Sequence, residues 1–221
     1  MEIYIHAYCR NHYSKIILDK IQKFRASGLF DAMDRLYIGF SGVRESDREF
    51  MDDLKSFSSK ISIMDYTWRQ KFPDSECDTL NLMKFRAEMS DKNIPMMYCH
   101  TKGVSHQHPE LIRRMSAWTR YLDLYTIHNW KENVEALNNH DAAGGNWIHN
   151  PSHYSGNFWW TNSNFLKTLP YLTQDNVKNL NRGELWIGLG DPDRLFKHKV
   201  LNPVNHYNEY YLKEEHFPEN F

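Results

Sequence analysis

Hydrophobic and polar positions alternate in regular blocks through the first hundred residues. Residues 2–8 form a short apolar-rich run ending at Ala7-Tyr8, which predicts a strand. Tyr13, Ile17, Ile21 and Phe24 then recur at helical spacing within 11–26, and Ser27-Gly28 ends that helix. Leu36-Tyr37-Ile38-Gly39-Phe40 predicts a second strand, followed by a charged helical stretch near 45–58. Ile61-Ser62-Ile63-Met64 predicts a third strand, and Tyr66 to Cys77, without a clean period, a loop. A helix from Thr79 to Ser90 leads to Pro95-Met96-Met97-Tyr98-Cys99, a strand apolar throughout and therefore central.

Strand–helix alternation from the first residue is the pattern of an α/β fold with an open, mainly parallel central sheet flanked by helices. The second half reads differently. Pro109 opens a long helix with Leu111, Met115, Trp118, Leu122 and Tyr125 on one face, predicted to run to about Asn138. Residues 141–147 and 155–161 predict short strands rich in small and aromatic residues, and 162–170 a helix. No linker or repeat divides the chain, so residues 1–221 are expected to form a single domain.

Composition narrows the function classes. The chain carries 27 basic against 28 acidic residues, without the basic excess of a general nucleic-acid binder. No apolar run approaches the roughly 18 residues of a membrane span. Cys9, Cys77 and Cys99 fit no zinc or redox spacing and read as thiols in a reducing compartment. The opening Met1-Glu2-Ile3-Tyr4-Ile5 lacks the pattern of a signal peptide. A cytoplasmic location is expected, with the chain standing alone or as part of a larger multidomain protein. The 12 His and 7 Trp are unevenly spread. Positions 98–160 hold His100, His106, His108, His128, His140, His149 and His153, with Trp118, Trp130, Trp147, Trp159 and Trp160.

Ligands of open α/β sheets bind outside the carboxyl ends of the strands. Ala7, Tyr8 and Arg10 fall there, as does His100-Thr101-Lys102-Gly103. A glycine permits close backbone approach, and a lysine, a hydroxyl and a ring nitrogen would suit a diphosphate. The same four residues also fit a plain polar turn. Neither a Walker motif nor a GxGxxG fingerprint is present. Glu76-Cys77-Asp78-Thr79 sets two carboxylates just before a helix, suited to a divalent cation or, for Asp78, to capping. His106 and His108, near His100, could be read as zinc ligands or as loop histidines. Polar, aromatic and glycine residues crowd 149–160, a composition that suits a sugar ring or a core strand. Glu184 could serve as a general base or form a surface pair with Arg182; Asp191 and Asp193 are rival carboxylates. His206 could fold back as a ligand.

Four of these segments together resemble GT-A-type glycosyltransferases. They are the strand ending in His100-Thr101-Lys102-Gly103, Ala142-Ala143-Gly144-Gly145-Asn146-Trp147, Ser155-Gly156-Asn157-Phe158-Trp159-Trp160, and Arg-x-Glu-x-Trp-Ile-Gly from Arg182 to Gly188. The resemblance covers about residues 76–188 and looks closest to the domains encoded by large algal (chlorella) viruses, which would place the chain in host cytoplasm. It implies a hexosyl- or deoxyhexosyltransferase that moves sugar from a uridine diphosphate sugar to a glycan or glycoprotein, often with Mn²⁺ or Mg²⁺. On that reading residues 1–105 form the nucleotide half and 106–221 the acceptor half. Ala7, Tyr8, Arg10, Asp78, Thr79, His100, Thr101, Lys102 and Gly103 would hold the donor. Asn146, His153, Tyr154, Ser155, Gly156, Asn157 and Trp159 would hold sugar and acceptor. Lys102 would stabilise the leaving diphosphate, and Glu184 or Asp191 would act as base. The Asp-x-Asp that holds metal in many such enzymes is replaced here by His100-Thr101-Lys102. Either Lys102 supplies the charge, or Asp78, Glu76 and His206 hold a metal. A non-catalytic sugar- or nucleotide-binding module and a histidine-rich metallohydrolase are the rival classes.

Overall fold

A computed structural model of the chain describes residues 1–66 and 76–198. The chain order begins β1 (Glu2–Tyr8), α1 (Tyr13–Ala26), α2 (Leu29–Ala32), β2 (Arg35–Ser41), α3 (Arg48–Phe57) and β3 (Ile61–Asp65). It continues with α4 (Glu76–Glu88), β4 (Pro95–His100), α5 (Pro109–Asp123), α6 (Trp130–Ala136), β5 (Ala142–Gly144), β6 (Trp147–His149) and β7 (Ser152–Tyr154). It closes with β8 (Trp159–Asn162), α7 (Ser163–Thr168) and β9 (Leu195–Lys197).

Among the described residues, seven strands form one sheet in the order β3-β2-β1-β4-β8-β5-β9, and β6 pairs with β7. In the larger sheet β8 runs antiparallel to β4 and β5 and the other pairings are parallel, while β6 and β7 pair antiparallel. This is the mainly parallel α/β sheet expected from the strand–helix alternation, with β4 at its centre as its apolar run requires. The two-residue period of β1 sorts its side chains onto two cores. Ile3, Ile5 and Ala7 join Tyr13, Ile17, Ile21 and Phe24 of α1 and Met115, Trp118 and Leu122 of α5. Tyr4 joins Leu80 and Met83 of α4 and Phe165 and Leu166 of α7 on the opposite face. Both faces of the sheet are covered, as parallel sheets require.

Three expectations change. The helix from Pro109 does not continue to 138. It widens at Leu124–His128 into a π turn, where Thr126 Oγ1 donates to the Leu122 carbonyl at 2.8 Å. α6 then resumes, tied back by the Asn133 amide, which donates to the Tyr125 carbonyl at 2.6 Å. The strand expected over 155–161 starts only at Trp159, because Gly156 (φ 96°) and Asn157 (φ 56°) take left-handed backbone. α4 begins at Glu76, so Glu76 and Asp78 lie on its first turn rather than in the preceding loop.

Among the described residues, no helix is long and apolar enough to cross a membrane.

Candidate functional site

The parallel register sets His6 of β1 beside His100 of β4, so both strands end together. The Thr101 amide donates to the His6 carbonyl at 2.9 Å, and the Tyr8 amide donates to Thr101 Oγ1 at 3.1 Å. The His6 ring lies between Thr79 Oγ1 (3.0 Å) and Ser41 Oγ (3.2 Å), and burial lowers its pKa to about 3. Gly39 makes this junction possible. A Cβ there would stand 2.4 Å from Thr79 Oγ1 and 2.5 Å from the Tyr66 ring. The hydroxyls and ring nitrogens of Thr79, Thr101 and His6 therefore brace the strand ends from beneath. Ala7 lies in the core, whereas Tyr8 is half-buried, with the exposed Arg10 guanidinium 4.9 Å over its ring. Of the first-strand candidates, Tyr8 and Arg10 face outward and Ala7 does not.

Lys102 is the most unusual group at this end of the sheet. It is 9 % exposed, and its Nζ sits 3.8 Å above the Trp118 ring of α5. Burial disfavours the ammonium and brings its pKa down to about 8, against the opposing pull of Glu184 and Glu76. The backbone is fixed by Gly103, whose φ of 81° is left-handed and whose missing Cβ would meet Met115 Cβ at 2.5 Å. His100 beneath it is held well below its usual pKa by burial and by Lys102, and its Nε2 lies 3.1 Å from the Gly156 carbonyl. The ring is therefore neutral, and its Nε2–H donates to that carbonyl.

Two carboxylates converge on Lys102 from other segments. Glu76 accepts from Asn157 Nδ2 at 2.6 Å, and Asn157 Oδ1 accepts from Trp159 Nε1 at 2.7 Å. Burial, foremost, raises the Glu76 pKa, with Asn157, the Tyr98 hydroxyl and Lys102 opposing. Glu184 Oε1 accepts from the Gly156 amide at 3.1 Å, and Oε2 accepts from Asn181 Nδ2 at 2.9 Å. His153 donates from Nδ1 to the Pro151 carbonyl at 2.7 Å, which leaves Nε2 facing Glu184 Oε1 at 4.0 Å. Lys102, Glu76, Glu184, Asn157, Gly156 and His153 are thus brought together from four separate stretches of chain, with half-buried Ser155 alongside.

Several candidates fall elsewhere. Asp191 caps the turn Pro192–Arg194 and shares a surface depression with Asn93 and Asn162. Those two residues lie just before β4 and at the end of the antiparallel β8, which places Asp191 at the opposite end of the central strands from Lys102. Trp159 is fully buried against Tyr98 and Trp186, and Tyr154 is fully buried with its hydroxyl on the Phe196 carbonyl. Neither offers a ring face to a sugar. Trp118 and Trp160 are core residues too, so the tryptophan excess in 98–160 is mainly packing. Asn146 is fully buried at φ 57°, and among the described residues neither atom of its amide has a hydrogen-bond partner. Asp78 is buried on α4.

The Glu76–Asp78 pair does not fit a divalent cation. Residues two apart on a helix diverge by about 200°. Glu76 is committed to Asn157, and its raised pKa weakens it as a ligand for a hard ion. Among the described residues, no three His, Cys, Asp or Glu gather as a metal site, and His106 and His108 belong to none. His206 lies outside the described residues. Signals for His6, Tyr98, Trp118 and Asn181 were absent from local sequence, because each enters the site through strand register or packing.

No family model matches the chain, and no curated protein does. Among solved structures, the chain is similar to an active-site mutant of LgtC, a glycosyltransferase of the GT-A fold. The TM-score is 0.52 at 10 % identity, over 89 % of this chain and 72 % of that one. At that identity the likeness is one of fold.

Proposed function

We propose that the chain is a glycosyltransferase that moves a hexosyl or deoxyhexosyl group from a uridine diphosphate sugar to a glycan or glycoprotein acceptor. The observation that carries the reading is Lys102. It is a desolvated ammonium at the carboxyl end of the central strand, on a GT-A-like sheet, flanked by two carboxylates. A cation fixed in place beside the strand end is what a departing diphosphate needs. Kinship with the virus-encoded domains rests on the four sequence motifs.

Tyr8 and Arg10 hold the base and ribose at the end of β1. Lys102 meets the diphosphate. The acceptor oxygen attacks the anomeric carbon, the bond from that carbon to the phosphate oxygen breaks, and its electron pair stays on the diphosphate. Charge grows there in the transition state, which Lys102 stabilises. The acceptor proton passes to Glu184, whose carboxylate is aimed by the Gly156 amide and Asn181. His153, Ser155 and Asn157 line the sugar and acceptor side. Residues 1–105 thus serve the nucleotide and 106–221 the acceptor. The residues described hold no fitting metal clamp, and no step is assigned to a metal.

The test is release of UDP from a panel of UDP-sugars, with and without glycan acceptors. Glu184→Gln should keep UDP binding and lose turnover by about 10²-fold or more. Turnover unchanged in Glu184→Gln would remove Glu184 as base.

A further inference from the structure

Glu76 has no task in the transfer step, yet its carboxylate is held in a set orientation. The Trp159 indole can only donate, so the Asn157 amide turns its Oδ1 to Trp159 Nε1 at 2.7 Å. Asn157 Nδ2 is thereby left to donate to Glu76 Oε1 at 2.6 Å. Glu76 also lies on the first turn of α4, where the helix dipole favours an anion. Burial, foremost, works against the charge, while Asn157 and Lys102 favour it.

The turn that holds Glu76 also touches the lysine. The Gly156 carbonyl accepts from His100 Nε2 at 3.1 Å, which ties the turn to the segment that carries Lys102. Gly156 and Lys102 share one indole as well. A Cβ on Gly156 would stand 3.3 Å from the Trp118 ring, and Lys102 Nζ lies 3.8 Å over it. Glu184, the second carboxylate near Lys102, surrenders its charge when it takes the acceptor proton. Glu76 has no proton to receive in that step, so its charge persists beside Lys102 through the transfer.

We propose that Glu76 is a positioning residue for Lys102: its carboxylate, held by Asn157, keeps the lysine an ammonium at the place where the diphosphate arrives. Resting on the transferase reading, this role gives a desolvated lysine the companion charge it needs to act as a cation.

Glu76→Gln keeps the acceptor for Asn157 and removes the charge. Titration of the Lys102 Cε resonance in carbon-13 lysine-labelled protein, assigned by its absence from Lys102→Met, reads the effect without nucleotide. The midpoint is expected at about 8 in the parent and lower by about one pH unit in Glu76→Gln. Asn157→Gly, which tolerates the left-handed backbone and removes the donor to Glu76, should shift it the same way by less. A midpoint unchanged or raised in Glu76→Gln, or in Asn157→Gly where the glutamine variant does not fold, would overturn the proposal. Calorimetric UDP affinity supplies the second readout. At pH 8 a one-unit shift leaves about a fifth as much charged lysine, so Glu76→Gln should bind about fivefold more weakly there and within about twofold of the parent at pH 6. In a Lys102→Met background the difference at pH 8 should disappear. A loss equal at both pH values, or one that persists without Lys102, would mark a structural role and overturn the proposal. No UDP binding by the parent would instead undo the transferase reading and leave the Lys102 titration to decide the pairing with Glu76.

Discussion

Lys102→Met separates a functional cation from a structural one. Methionine keeps an unbranched side chain against Trp118 and removes the charge. The fall of the ammonium pKa from 10.5 to about 8 corresponds to about 3 kcal/mol by which folding disfavours the charged form at neutral pH. The opposing pull of Glu76 and Glu184 is already contained in that shift, so the expected net gain in stability is up to about 3 kcal/mol. For a chain of this size, each 1 kcal/mol raises the melting temperature by about 2–4 °C. The sign follows from linkage. Between pH 8 and 10.5 the unfolded lysine binds more protons than the folded one, so the unsubstituted protein recovers stability as pH rises through that window. The advantage of Lys102→Met should therefore be largest at pH 7 and small at pH 10. Urea unfolding at both pH values measures it. A variant less stable than the parent by more than about 1 kcal/mol at pH 7 would refute the reasoning, because it would make Lys102 a stabilising ion-pair member.

Gly103→Ala should destabilise by about 3 kcal/mol in urea unfolding, since the new Cβ must displace Met115 and occupy a left-handed φ. His6, with a folded pKa of about 3 against 6.5 unfolded, stays neutral while the unfolded chain takes up a proton. Stability is therefore lost as pH falls from 6.5 toward 3, and His6→Gln should flatten that part of an acid-unfolding curve by on the order of 3 kcal/mol. Asp191→Asn should leave UDP affinity and turnover within about twofold, because it lies at the opposite end of the central strands from Lys102; a larger loss would contradict that placement.

The first four strands and their helices were legible because each is a local pattern. The alternation of Ile3, Ile5 and Ala7 with Tyr4, and the spacing of Tyr13, Ile17, Ile21 and Phe24, needs no distant partner to be read. The insertion of antiparallel β8 between β4 and β5 was not legible, since pairing depends on contacts far apart in the chain. The same division holds at the site. His100-Thr101-Lys102-Gly103 stands out as a polar segment after an apolar strand. That Lys102 rests on Trp118 and faces Glu76 and Glu184 is a product of tertiary packing, as is the placement of Asp191 at the opposite end of the central strands. The tryptophans misled because a buried indole and a sugar platform look alike in sequence.

The central claim is that Lys102 receives the diphosphate of a nucleotide sugar. Calorimetric titration of UDP into the parent chain and Lys102→Met, each with and without Mn²⁺, tests it most directly. Saturable binding by the parent that falls by about 10²-fold or more in the variant is the expected result. No saturable binding by the parent under either condition, or equal affinity in the two proteins, would contradict it.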